Sequence, residues 1–146
     1  MEAQNKIDKI SRIANGARKS LVKMSENCAK TMHWGGALSC IDILSTLYGE
    51  VLKVNGNPSK SDIFILSKGH AGSALYAVLE QIGALTETQL EQYRRDGTKL
   101  TELAEYNKEL GIECSGGSLG LGLSYAAGIA LAMKKKSMKT KVYVLL

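Results

Sequence analysis

Three short segments of the 146-residue chain contain residues that could bind an anion or move a proton. The first, residues 68–73, has the sequence Lys-Gly-His-Ala-Gly-Ser. Gly69 and Gly72 let the backbone approach a ligand closely, and His70 can donate a hydrogen bond to phosphate. A turn of this kind between a strand and a helix lies where parallel sheets bind anions. The alternative is an ordinary strand-to-helix turn that carries an exposed histidine.

The second segment, residues 116–122, has the sequence Gly-Gly-Ser-Leu-Gly-Leu-Gly and precedes a run of small residues. It lacks the Gly-Lys-Ser/Thr ending of a P-loop and the glycine spacing of the dinucleotide-binding motif. The closely spaced glycines and Ser118 suit a backbone that wraps around a flat or anionic group. They equally suit the tight packing of a helix.

The third segment places His33 next to Trp34 and two glycines, Gly35 and Gly36. The glycines leave space for a ligand beside the imidazole ring. A histidine between two helices can also be a structural residue, and that alternative stays open at this point.

Several helices are needed to position these segments. Apolar residues at helical spacing predict one helix over residues 4–26 and another from Ile41 to Leu52, with a glycine-containing break at residues 32–36 between them. Residues 73–82 are predicted to form a further helix that ends at Gly83.

The capping-box pair Thr86 and Gln89 predicts the start of a short helix, and a small-residue helix is predicted after residue 122. Residues 55–59 have turn chemistry, and the polar residues 94–111 could form a helix or an ordered loop.

Two short apolar runs, residues 63–66 and 142–146, are rich in β-branched and aromatic side chains. Such runs are typical of buried strands in a parallel sheet. The alternation of helices and strands therefore predicts an α/β fold with a parallel sheet flanked by helices.

Composition excludes several classes of protein. Hydrophobic residues make up 45% and charged residues 23% of the chain, which is the balance of a folded domain. The net charge is +5, and the basic run at residues 134–136 lacks the interleaved aromatics of a nucleic-acid surface, so no nucleic-acid partner is expected.

Three cysteines without metal-ligand spacing predict no zinc site and a cytoplasmic location. No apolar run could span a bilayer, and residues 1–10 are not a secretory signal.

Taken in order, the three segments resemble the N-terminal, diphosphate-binding domain of transketolases, most closely the split type in which that domain is a separate subunit. The resemblance covers residues 12–146 and is most specific at residues 66–70, at residues 117–120 and in the last strand. It implies the thiamine-diphosphate-binding fold, with residues 1–146 forming the N-terminal part of that domain, incomplete after its second recognisable strand.

The resemblance also implies roles for individual residues. His70 matches the histidine that contacts the phosphates of the cofactor, and His33 matches a histidine that faces the substrate and the reacting carbon. Gly117, Ser118 and Leu119 match the loop that lies against the aminopyrimidine and the diphosphate. His33 and His70 are therefore the predicted catalytic residues, and His70 also binds the cofactor.

The chain departs from the family pattern in three places. The family motif Gly-His-Pro-Gly is replaced by Met-His-Trp-Gly at residues 32–35, and Leu103 stands where the family has a third substrate-facing histidine. The Gly-Asp-Gly motif that holds Mg²⁺ would follow Leu146, so metal ligands are expected beyond residue 146 and none within it. Because Leu103 replaces the third histidine, the usual sugar-phosphate substrates are in question.

By resemblance, the expected activity is the transfer of a two-carbon ketol unit from a ketose to an aldose by means of thiamine diphosphate and Mg²⁺. A C-terminal transketolase subunit would supply the glutamate that activates the cofactor, in a dimer of heterodimers, and the 146 residues alone would be inactive. Two alternatives are a related enzyme, such as a deoxyxylulose-phosphate synthase or a dihydroxyacetone synthase, and a non-catalytic assembly or regulatory subunit that keeps the fold.

Overall fold

The computed structural model describes residues 1–28, 30–53 and 62–146. A turn of π-helix, Leu47–Val51, directly follows the helix Ile41–Thr46. Turns of 3-10 helix lie at Gly69–Ala71 and Lys108–Leu110. The named helices and strands follow in chain order: α1 (Glu2–Cys28), α2 (Trp34–Leu38), α3 (Ile41–Thr46), β1 (Ile63–Leu66), α4 (Gly72–Gln81), α5 (Glu87–Leu90), α6 (Leu121–Lys135) and β2 (Val142–Leu145).

The two strands pair in parallel, with Ile63 opposite Val142 and Leu66 opposite Leu145, which confirms the predicted parallel sheet flanked by helices. Both strands were predicted to be buried. Three of the four residues of β1 are buried, but all four residues of β2 are half-buried, so the prediction was wrong for β2. The reason is that Phe64 and Leu66 of β1 belong to the hydrophobic core, whereas Tyr143 and Leu145 of β2 only pack against it from outside.

The core lies where α1, α3 and α4 pack together. The predicted helix over residues 4–26 is confirmed as α1, and its buried face begins at Ile13, whereas Ile7 is exposed. Helix α4 is buried on all sides from Gly72 to Leu79, as expected for a helix at the centre of a domain. The 3-10 turn that carries His70 is therefore attached directly to the most buried element of the chain.

The predicted break at residues 32–36 is shorter than expected, because α2 begins at Trp34 and includes both Gly35 and Gly36. The glycines lie within the helix, and the Ala37 N–H donates to the carbonyl of His33 at 3.0 Å. His33 consequently occupies the N-cap position of a short helix, where this hydrogen bond holds its backbone.

The predicted helix end at Gly83 and the predicted helix start at Thr86 are both confirmed. Gly83 has φ +78° after α4, and the side chains and backbones of Thr86 and Gln89 form the expected capping box. The segment 94–111 is an ordered loop with one 3-10 turn rather than a helix. The predicted turn at residues 55–59 lies outside the described residues.

Helix α6 is the predicted small-residue helix after the glycine-rich segment. It buries Gly122 and Ala126 and leaves Leu123 and Leu131 exposed. None of the helices in the described ranges is long and apolar enough to cross a membrane.

The buried side chain of Asp62 joins the starts of the two strands. Its carboxylate accepts the N–H of Lys141 at 3.0 Å and the N–H of Lys53 at 3.2 Å. Burial alone would raise the pKa of this carboxyl, but the two N–H donors and the two lysine charges hold the pKa below its ordinary value.

We expect Asp62→Ala to lower the free energy of unfolding by about 1–3 kcal/mol at neutral pH, because two backbone donors lose their acceptor. Since the folded-state pKa lies below the unfolded value of about 4, this contribution is present above pH 4 and is lost as the pH falls through the folded pKa. Urea denaturation of both proteins at several pH values measures the difference. Asp96→Ala, which removes an exposed carboxylate, is the control. A stability difference that stays constant down to pH 2 would contradict the assignment.

Candidate functional site

Two backbone segments touch directly at the carboxyl end of β1. A Cβ atom placed on Gly69 would lie 2.8 Å from the nitrogen of Gly117 and 3.0 Å from the Cα of Gly116. Conversely, a Cβ on Gly116 would lie 2.8 Å from the Cα of Gly69. Real Cβ atoms do not approach backbone so closely, and only glycine fits at these two positions. The strand-end turn and the glycine-rich segment are therefore joined backbone to backbone.

Two further glycines extend this contact. A Cβ on Gly72 would lie 2.9 Å from the carbonyl oxygen of Glu102, and a Cβ on Gly122 would lie 2.7 Å from the Cβ of Ser67. The loop at residues 102–104 is fixed in addition by a hydrogen bond of 2.6 Å from the Gly116 N–H to the carbonyl of Ala104. The contacts of Gly69, Gly72, Gly116 and Gly122 are called the glycine junction below.

The two predicted catalytic histidines lie together beside the glycine junction. The rings of His33 and His70 lie edge to face with their centroids 4.8 Å apart. Both side chains are exposed on the same side of the domain, His33 from the start of α2 and His70 from the 3-10 turn before α4. This pair is separated by 37 residues of sequence, so the fold and not local structure creates it.

A carboxylate and a guanidinium complete the surroundings of His33. The Oε1 atom of Glu102 lies 3.3 Å from Nε2 of His33, and its Oε2 atom lies 3.1 Å from Nη2 of Arg94. Sequence reasoning missed both charged residues. The replacement of the family histidine by Leu103 points to the loop that also contains Glu102, whereas no motif in the sequence points to Arg94.

Leu103 lies against the glycine-rich segment. Its Cδ1 atom is 3.6 Å from the position that a Cβ of Gly117 would occupy, and its carbonyl accepts the hydroxyl of Thr101 at 2.7 Å. The position that the resemblance gives to a third histidine therefore presents methyl groups, which neither donate nor accept hydrogen bonds.

The predicted cofactor-binding residues Gly117, Ser118 and Leu119 form the exposed lip of the site. Gly117 has φ +137°, a conformation that favours glycine, and Leu119 is 74% exposed. Gly120 begins α6 with φ +85°, and no side chain caps the helix start. The first N–H groups of a helix have no partner within it, so they can bind an anion.

A cavity of about 300 Å³ opens beside this lip and is lined by Ser67, Ser118 and Tyr125, among others. Cys114 also lines it, and burial raises the pKa of the Cys114 thiol, with a smaller contribution from Glu113. A thiol with a raised pKa is a poor nucleophile at neutral pH. The chemistry of the cavity is thus that of hydroxyls, backbone, apolar surface and the carboxylate of Glu113.

The donor set fits thiamine diphosphate but not its metal. The N–H groups at the start of α6, the Ser118 hydroxyl and the exposed His70 ring suit a diphosphate, and the exposed Leu119 suits a flat ring. Within the described ranges, no three His, Cys, Asp or Glu side chains are grouped so that they could hold a metal ion.

We expect Gly69→Ala to destabilise the domain by about 1–3 kcal/mol, because its methyl group cannot fit against the Gly116–Gly117 backbone. Gly128→Ala is the matched control, since a Cβ there meets nothing within 4 Å and alanine is favoured in helix α6 by about 0.5–1 kcal/mol. Chemical denaturation of the two variants measures both effects. Equal stability of Gly69→Ala and the unchanged chain would contradict the close contact.

Comparisons with known proteins agree with this geometry. A family model described as the transketolase, thiamine diphosphate binding domain matches residues 11–142. The chain is 36% identical over 143 residues to an apulose-4-phosphate transketolase subunit of Actinobacillus succinogenes, covering 94% of this chain and 51% of that protein. It is 37% identical over 117 residues to the 6-deoxy-6-sulfo-D-fructose transketolase subunit SqwG of a Clostridium species, covering 78% and 42%.

The fold is similar to that of the transketolase from Leishmania mexicana, with a TM-score of 0.83 and 28% sequence identity, covering 92% of this chain and 22% of that one. The chain spans about half the length of the curated relatives named above. Together with the parallel sheet and the junction at its carboxyl edge, these matches confirm the resemblance and the predicted fold: the chain belongs to the transketolase family of thiamine-diphosphate-binding domains.

Proposed function

We propose that this chain is the diphosphate-binding part of a split transketolase, which transfers a two-carbon ketol unit from a ketose to an aldose. The observation that carries the proposal is the pair of histidines, His33 and His70, with ring centroids 4.8 Å apart beside the exposed Gly117–Leu119 lip. Relatives named as transketolase subunits support the split arrangement.

The cofactor side of the site is formed by His70 and the start of α6. When bound, thiamine diphosphate supplies the electron sink for breaking the carbon–carbon bond of the ketose. His70 donates a hydrogen bond to a phosphate oxygen, and the uncapped N–H groups after Gly120 bind the same anion. Ser118 adds a hydroxyl donor, and Leu119 packs against the ring system.

The substrate side is formed by His33. Its ring is half exposed and lies at the rim, where it can take a proton from a sugar hydroxyl and return it. His70 is close enough to contact the same substrate. General acid–base catalysis by a positioned histidine contributes about 10²–10⁴-fold in rate.

The remaining parts of the proposal lie outside these residues. Mg²⁺ would be held with the diphosphate by ligands other than the described residues, and the partner C-terminal subunit would supply the glutamate that activates the cofactor. The assembly is a dimer of heterodimers in the cytoplasm.

The substrate differs from the usual sugar phosphates, because Leu103 replaces a hydrogen-bonding histidine with methyl groups next to the lip. Two relatives carry names for unusual sugars, apulose-4-phosphate and 6-deoxy-6-sulfo-D-fructose. The same leucine favours one second candidate, a non-catalytic subunit that keeps the fold.

Calorimetric titration of thiamine diphosphate with Mg²⁺ into the complex of this chain with its partner subunit tests the proposal. We expect His70→Ala to weaken cofactor binding about 10- to 150-fold, because a hydrogen bond to a charged phosphate contributes about 1.5–3 kcal/mol. His33→Ala is expected to leave cofactor affinity unchanged and to lower kcat about 100-fold or more.

The unchanged complex separates the candidates. Absence of cofactor binding by the complex would refute the enzyme proposal and leave the non-catalytic subunit. Binding without turnover on any ketose and aldose pair would also favour the non-catalytic subunit. Equal cofactor affinity of the unchanged complex and the His70→Ala complex would refute only the role of His70 in binding phosphate.

A further inference from the structure

Glu102 and Arg94, which have no role in the proposed function, connect three distant segments around His33. Arg94 donates from Nη1 to the carbonyl of Thr31 at 2.6 Å and approaches Glu102 through Nη2 at 3.1 Å. Glu102 in turn lies 3.3 Å from Nε2 of His33. The exposed fractions of the side chains are 51% for His33, 34% for Glu102 and 16% for Arg94. The contacts therefore lead from a half-exposed histidine to a largely buried guanidinium.

The backbone of Arg94 has an uncommon conformation that is held by a hydrogen bond. Its φ is +56°, a left-handed conformation that is costly in any residue with a side chain. The Arg94 N–H donates to the carbonyl of Leu100 at 2.9 Å, which closes the loop that leads to Glu102. The residue is therefore held at both its backbone and its guanidinium, and the guanidinium fixes the carboxylate that faces His33.

A carboxylate beside one ring nitrogen decides where a neutral imidazole carries its proton. An ionised carboxylate only accepts hydrogen bonds, so it repels a lone pair on Nε2 and favours a proton there. With the proton on Nε2, the acceptor of the ring is Nδ1. The same logic applies wherever a carboxylate orients a histidine that works at its other nitrogen.

We propose that Glu102, held by Arg94, is a positioning residue that keeps neutral His33 in the Nε2–H form and so presents Nδ1 as the acceptor for a proton from a ketose hydroxyl. The last step rests on the proposed function, whereas the effect of Glu102 on the ring does not. Leu103, at the position that the resemblance gives to a third histidine, offers no proton-transferring group.

Nitrogen-15 NMR of the chain labelled only in its histidine rings tests the first part directly, because residues 1–146 contain just His33 and His70. A His70→Asn variant assigns the two rings. Measured at a pH where the rings are neutral, His33 is expected to be almost wholly in the Nε2–H form. In Glu102→Ala the population returns to the mixture of free histidine, and in Glu102→Gln it lies in between, because an uncharged amide oxygen near Nε2 favours a proton there less strongly than a carboxylate does.

Glu109→Ala, which removes an exposed carboxylate from the same loop, is the matched control and is expected to leave the His33 spectrum unchanged. Equal tautomer populations in the unchanged chain, in Glu102→Gln and in Glu102→Ala would overturn the proposal. If Glu102→Ala does not fold, the comparison of Glu102→Gln with the control decides.

Kinetics of the assembled enzyme test the second part. Glu102→Ala is expected to lower kcat by part or all of the about 10²–10⁴-fold that a positioned histidine contributes, with KM and the cofactor Kd little changed. Glu102→Gln should recover part of the rate. A parallel loss of cofactor affinity would mean a purely structural role and would refute the positioning role. If the complex binds no cofactor at all, the proposed function fails while the tautomer result still stands.

Discussion

The approach of the Gly69 Cα to the Gly116–Gly117 backbone is the contact on which the whole site depends. It fixes the end of β1 against the segment that starts α6, and both segments continue from there into helices. His70 directly follows Gly69 in the chain, and Ser118 directly follows Gly117. One van der Waals contact between main chains therefore positions both His70 and the lip. The return of α6 into β2, paired with β1 in register, closes the same frame from the other side.

The electrostatics of the site suit an anion without a cluster of lysines. The uncapped start of α6 and the imidazole of His70 supply donors, and partial positive charge at a helix start favours a phosphate group. The carboxylate of Glu102 at the rim is balanced by Arg94 and contacts His33. In the proposed function, anion binding falls to His70 and the start of α6 and proton transfer to His33, whose ring centroid lies 4.8 Å from that of His70.

Much of this could be predicted from the sequence because the signals are local. Helix α1 follows from its apolar spacing, the capping box from Thr86 and Gln89, and the site segments from glycines and histidines in one order along the chain. The half-burial of β2 could not be predicted, since it depends on where the hydrophobic core lies relative to the strand, which no local pattern gives. Glu102 and Arg94 escaped notice because their contacts join residues 33, 94 and 102, which no spacing rule connects.

The glycine junction divides the site into a part that cannot vary and a part that can. At its four positions a single methyl group would displace an atom of another segment, so the frame that receives the cofactor resists change. Glu102 and Leu103 project their side chains from the same loop, and neither side chain is held between two main chains. In the proposed function, a new sugar preference can therefore evolve by replacing Leu103, while Glu102 stays to position His33 and the cofactor frame beneath both is inherited intact.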